Sequence, residues 1–185
     1  MQAQIITFKT DNQIFSDFTS LVNEALTAFN VTNWQVRQLK QALKINVLSP
    51  SIFISIISNN QLGRQYYKKS KQDSFYIKKN DRKQEITIRF SALRTRLLTD
   101  TTTTYNSEDV LQLIASYMQS TEGITSLSNL GYAQYRSANI SNPDFVNDSD
   151  NFEFMPYFDT TFLYTNSWQS QISNIESVSG NIYKI

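Results

Sequence analysis

An α+β fold built on a mostly antiparallel sheet is what this sequence predicts, and three observations predict it. Two stretches, Ile14 to Phe29 and Val110 to Met118, repeat apolar residues at helical spacing. Around them lie runs with the two-residue alternation of strands, joined mostly by turn-sized connections. The third is the stretch 151–165. There Phe152, Phe154, Phe158, Phe162 and Tyr164 share one parity, with Pro156 and Thr160 between them, while Glu153, Asp159, Thr161 and Thr165 take the other. Side chains alternate across a strand, so this spacing predicts one long ribbon walled with rings on one side. That wall needs cover, either from the helices, as the sheet's own core, or from a neighbouring subunit; the core is the simpler cover.

Taken in order, Asp11 and Asn12 offer N-caps for a helix over about Gln13–Phe29, in which Ile14, Phe15, Phe18, Leu21, Val22, Ala25, Leu26 and Phe29 form the apolar stripe. Thr32 to Arg37 reads as a short strand, and the Gln- and Lys-rich stretch to Asn46 fits a loop or a helical turn. Pro50 opens Ser51-Ile-Phe-Ile-Ser-Ile-Ile-Ser58, whose β-branched content predicts a strand buried on both faces at the sheet centre. Basic strands over 62–71 and 73–79, a turn at Asn80-Asp81 and an alternating strand to Leu93 predict a projecting hairpin arm over 62–90. Asn106 or Ser107 caps a second helix, with Glu108 and Asp109 in the first turn where the helix dipole favours acids, and Gly123 is its expected end. A strand around Tyr132–Ala138, the aromatic ribbon and a last strand or two from Ile172 follow. Pro156 has no N–H for a ladder, so its strand lies at an edge or bulges there. The expectation is one α+β domain over 1–185, with two amphipathic helices packed on one face of the sheet.

Composition narrows the chemistry. The 185 residues include neither cysteine nor histidine. Disulfides, thiolate metal sites, His-bound zinc and nucleophile systems that need an imidazole base are therefore excluded. An enzyme would have to work through carboxylates, lysine or tyrosine. Glu108 and Asp109 are consecutive and so point apart, which suits helix-terminal charge better than a hydrolytic pair. No enzyme activity, cofactor or small-molecule substrate is expected. Residues 1–10 lack the pattern of a secretory signal, and the apolar run 51–58 is about a third of a membrane span. A protein made in the cytoplasm, with no membrane partner, is expected.

The net charge of +1 hides a lopsided distribution. Residues 64–96 hold eleven Lys or Arg against three acids, whereas residues 97–185 hold two against ten. The basic candidates are Arg64, Lys68, Lys69, Lys71, Lys78, Lys79, Arg82 and Lys83, interleaved with Tyr66, Tyr67, Phe75 and Tyr76. They suit an acidic partner, a neighbouring subunit or DNA phosphates with rings for stacking; the plain alternative is a solvated hairpin whose lysines discourage edge pairing. The complementary acidic candidates are Asp144, Asp148, Asp150 and Glu153. Their spacing lacks the central glycine and terminal glutamate of an EF-hand loop, so no metal is assigned to them.

The order of these parts resembles the tailed-phage neck terminator, or tail-completion, family. The resemblance rests on the amino-terminal helix, Trp34-Gln-Val-Arg37, Ser51 to Ile57, Arg64 to Lys69, Gln84 to Phe90, the helix from Ser107 to Met118, and Tyr157-Phe-Asp-Thr-Thr-Phe-Leu-Tyr164 with Ile172 to Val178. It spans nearly the whole chain. The resemblance implies a structural virion protein with an α+β fold, six copies of which form a ring at the neck or tail end. Such a ring adjoins the connector and tail-tube proteins, and genomic DNA crosses it without sequence reading. Other tail or baseplate components, and a basic nucleic-acid-binding module, are the rival readings.

Overall fold

The computed structural model describes residues 5–39, 50–72, 75–94, 105–137, 139–141, 144–146 and 152–173. In chain order the elements are β1 (Ile5–Thr7), α1 (Asp11–Ala28), β2 (Gln35–Gln38), β3 (Ser51–Gln72), β4 (Phe75–Leu93), α2 (Ser107–Gln119), α3 (Thr121–Asn129), β5 (Tyr132–Ser137), β6 (Asp144–Val146), β7 (Phe152–Phe154) and β8 (Tyr157–Ser173). Six strands form one sheet in the order β1-β8-β4-β3-β2, with β5 also on β8, and β6 and β7 form a separate pair. Every pairing is antiparallel except β2 with β3. The fold is the α+β class that the alternation predicts.

Local chemistry sets the helix boundaries. Thr10 caps α1 one residue earlier than expected: its Oγ1 accepts from the Gln13 amide while the Gln13 Oε1 accepts from the Thr10 amide, at 3.3 and 3.0 Å. Asn106 and Asp109 make the same reciprocal box at the start of α2, at 2.8 and 3.1 Å. The structure has three helices among the described residues, not two. Gly123 does not end α2; it lies in the first turn of α3, where its amide donates to the Ser120 Oγ at 3.1 Å. A glycine read as a stop was a point of close approach, since a Cβ there would meet the Tyr117 carbonyl oxygen at 2.0 Å.

The buried stripe of α1, from Ile14 to Leu26, and that of α2, from Val110 to Met118, share one core with Leu127 of α3 and the even-numbered Ile86, Ile88, Phe90, Phe158, Phe162 and Tyr164 of β4 and β8. The Phe18 ring stands 4.7 Å from Phe162 and 5.0 Å from Tyr132, and Phe90 stacks on Phe158 at 5.1 Å. These rings of the aromatic stretch are therefore core rings. Three expectations are corrected here. The ribbon over 151–165 is not continuous: it breaks at Met155-Pro156, the Pro156 carbonyl accepts from the Ala92 amide at 3.1 Å, and the part before it pairs with β6 in the small sheet. The sheet centre is β4, while β3 lies between β4 and β2. The hairpin turn is between Gln72 and Phe75, and Asn80-Asp81 sits inside β4. The Asn-Asp pair gave a turn signal, but β8 pairs with β4 on through Asn80 and Asp81 and keeps the strand extended. The ambiguous stretch to Asn46 and the strand expected beyond Ser173 lie outside the described residues.

Candidate functional site

Toward the turn, Ile86 is the last described apolar core residue of β4. From there β3, β4 and β8 continue side by side, with β1 on the far side of β8 at Ser167–Gln169, Gln72 opposite Phe75 and Phe75 opposite Ser173. This outer part holds all eight basic candidates. Arg64, Lys68, Lys69, Lys71 and Lys83 are exposed, and Lys78, Lys79 and Arg82 are half-buried. The register sets Lys68 directly opposite Lys79 and Lys69 directly opposite Lys78. Like charges facing across a ladder cost stability, and at Lys79 the nearby Asp81 offsets part of that cost.

Two irregularities give β3 its course. The register shifts between Ile56 and Ser58 and again between Leu62 and Tyr66, where Gly63 adopts φ 64°, a left-handed conformation that a side chain would resist. After Tyr66 the ladder is regular to Gln72, and Tyr66 is 65% exposed. The side chains of Tyr67, Phe75 and Tyr76 lie outside those described.

The half-buried cations are held by specific neighbours. Lys79 lies 3.6 Å from Asp81, whose Oδ1 also accepts from the Ser167 hydroxyl at 2.5 Å. The Arg82 guanidinium lies over the Trp168 ring at 5.6 Å, and its Nε is buried with no hydrogen-bond partner among the described residues. Asp81 was not among the sequence candidates, and Trp168 reads from sequence as an interface anchor or an ordinary half-buried ring, not as the seat of a cation. Asp81 could have been found from its lone acidic position in a basic run; the Trp168 contact joins positions 86 residues apart and leaves no local signal. Of the acidic candidates, Asp144 and Glu153 fall on β6 and β7, opposite Phe154 and Phe145, and Asp148 and Asp150 lie outside the described residues. The structure thus places the basic set on the outer strands, with successive lysines facing opposite sides of the sheet, and puts Asp144 and Glu153 on a different, smaller sheet.

Two polar clusters sit nearer the core. Lys9 donates to Asp17 and, at 2.7 Å, to the Leu130 carbonyl, and lies 4.1 Å from the centre of the Tyr132 ring, whose hydroxyl donates to Asp17 at 3.0 Å. Burial, reinforced by the Asp17 carboxylate, pushes the Tyr132 phenol well above its ordinary value. On the odd-numbered face, Arg89 grips Asp159 through two bonds at 2.8 and 2.9 Å and lies 3.9 Å from the centre of the Tyr157 ring. The bidentate bond raises the Arg89 guanidinium above its usual range. A groove of about 710 Å3 runs between α3 and β5, lined among others by Ile124, Leu127, Tyr135 and Arg136. Among the described residues no group of acids could hold a metal ion, and no helix is long and apolar enough to cross a membrane.

The described residues thus form an α+β domain whose lysines and arginines crowd the outer strands of a mostly antiparallel sheet. The family model described as E217 gateway protein gp29 matches residues 13–174, and the chain belongs to that family, a family of phage neck and gateway proteins. Among curated proteins none matched the chain. Family membership gives it the role of a phage structural protein and implies a place in the virion neck.

Proposed function

We propose that copies of this chain, six in number, close into a ring at the neck or tail end, join the tail to the connector, and let genomic DNA pass through the middle without reading its sequence. The protein works mechanically in this reading, without catalysis. Helices and sheet make a stiff wedge, and the extension over 62–90 reaches an adjacent subunit or ring. The observation that carries the reading is the pair of facing lysine rungs, Lys68 with Lys79 and Lys69 with Lys78, on strands where no described side chain belongs to the apolar core. Lysines crowded on neighbouring strands gain a use once acidic surfaces of a neighbour lie against them. Light scattering on the purified full chain tests this: a stable oligomer that survives dilution is expected, and a monomer at micromolar concentration, with or without neighbouring neck proteins, sinks it.

The same rungs, with exposed Tyr66 beside them, favour a second reading in which the extension meets DNA phosphates. Affinity for duplex DNA that falls steeply with salt is expected of that contact. Affinity indifferent to salt would remove it.

A further inference from the structure

We infer that the basic outer edge of β3 in one copy receives the β6–β7 sheet of the next copy, strand edge to strand edge. This rests on the ring reading above and names the two patches that close the ring. β3 is flanked by β4 on one side, but on the other β2 covers only Ser51–Ile54. From Ser55 to Gln72 no other described strand lies on that side. An uncovered edge presents a row of free backbone donors and acceptors, which proteins ordinarily blunt with bulges and lysines. Here both irregularities come before Tyr66, and the seven residues from Tyr66 to Gln72 stay in regular register with β4. That straight stretch bears Lys68, Lys69 and Lys71 and no acid.

The complement is on the same chain. β6 and β7 pair with each other, and no other described strand lies on the outer edge of either. Residues 144–154 contain four acids and no base, with Asp144 and Glu153 on the paired strands. An acidic strand edge is the matching occupant for a basic one. Backbone pairing gives such an addition its affinity, and the charges give it register and encounter rate.

Geometry forbids the two from meeting within one copy. The small sheet is anchored at both ends near Tyr157: Phe154 precedes it by three residues, and Ser141, three residues before Asp144, pairs with Tyr157 itself. Lys79, on the rung with Lys68, lies opposite Gln169, twelve residues farther along β8. At about 3.3 Å per residue that is roughly 40 Å, whereas two linking residues and a three-residue strand reach only about 17 Å. Complementary patches at opposite ends of a stiff subunit can meet only between copies, head to tail. A contact between two different patches is the kind that closes into a ring when the rotation permits.

Two charge-reversed full chains test this: Lys68→Glu with Lys69→Glu and Lys71→Glu, and Asp144→Lys with Asp148→Lys, Asp150→Lys and Glu153→Lys. Light scattering should find each alone dissociated, because its two patches now carry the same sign, and an equimolar mixture reassembled, because each patch again meets its opposite. A wild-type oligomer whose reversed variants still assemble, or fail to recover on mixing, overturns the inference and leaves the ring reading standing. A wild-type chain that never assembles removes both. Lysine reversal that abolishes duplex DNA binding while the oligomer stays intact assigns the edge to DNA and also overturns it. Should a reversed chain not fold, cysteines read the same contact, since the natural chain has none. Mixed Lys69→Cys and Glu153→Cys copies should form a disulfide-linked pair on mild oxidation, and no such pair from an assembled oligomer refutes the docking.

Discussion

Tyr132 shows how one residue ties three elements and a pH response together. Its hydroxyl donates to Asp17 of α1, its ring packs on Phe18 and carries Lys9, and Lys9 also bonds the end of α3 at Leu130. Burial is the larger cause of the upward shift of its phenol, with the nearby carboxylate adding to it. The unfolded chain loses that proton near pH 10 while the folded chain keeps it, so above pH 10 the unfolded state binds fewer protons. The stabilisation is complete below pH 10 and falls as pH rises past it. Thermal melts of wild type between pH 9 and 11 should therefore drop in Tm faster than those of Tyr132→Phe. At pH 7 the variant should be less stable by about 1–2 kcal/mol, the cost of leaving a partly buried carboxylate short of a donor. Parallel alkaline slopes for the two proteins would show that another group carries the effect. Of this cluster the sequence revealed only the apolar stripe of α1; Lys9, Asp17 and Tyr132 are more than a hundred positions apart at the extremes.

Elements show where local signals held and where the neighbours decided. Capping boxes at Thr10 and Asn106 are four-residue events, and their sequence marks placed both helix starts within a residue or two. Gly123 looked like a stop because glycine is a poor helix former, yet Ser120 restarts the chain as α3 and the absent side chain lets α3 fold back against α2 at Tyr117. Gly123→Ala must move the Tyr117 backbone, which flexible side chains cannot absorb. A loss of about 2 kcal/mol or more in denaturant unfolding is expected, against the gain that Ala for Gly brings in an open helix. A neutral or stabilising result would mean that the α2–α3 corner is not packed as described. The Asn80-Asp81 signal failed for the opposite reason: pairing with β3 and β8 on either side outweighs a preference of two residues for a turn.

At the scale of the molecule, opposite charges collect on separate parts, the basic set on the outer strands and Asp144 and Glu153 on the small sheet. Exposed charge is screened with a Debye length of about 10 Å at 0.1 M salt, shrinking to about 3 Å at 1 M. Raising salt over that range should lower the oligomeric fraction in sedimentation while Tm changes little, because the core of α1, α2, β4 and β8 is apolar. An oligomer indifferent to salt would have to be held by apolar surface instead. Reversal of Arg82 is a poor probe of assembly, since its buried Nε and its place over Trp168 make it part of the fold.

The α+β class, the two capped helices, the aromatic core stripe and the basic run were legible in the sequence because each is set by contacts within a few residues, or by a period that one face of one element imposes. The third helix, the break at Pro156, the turn beyond Gln72 and the placing of β4 at the centre were not, because each is settled by strands or helices far away in the chain. So too with the candidate surface. The sequence supplied eight cations and four acids, and only the tertiary register set four of the cations in two facing rungs and placed the described acidic strands far from them along β8.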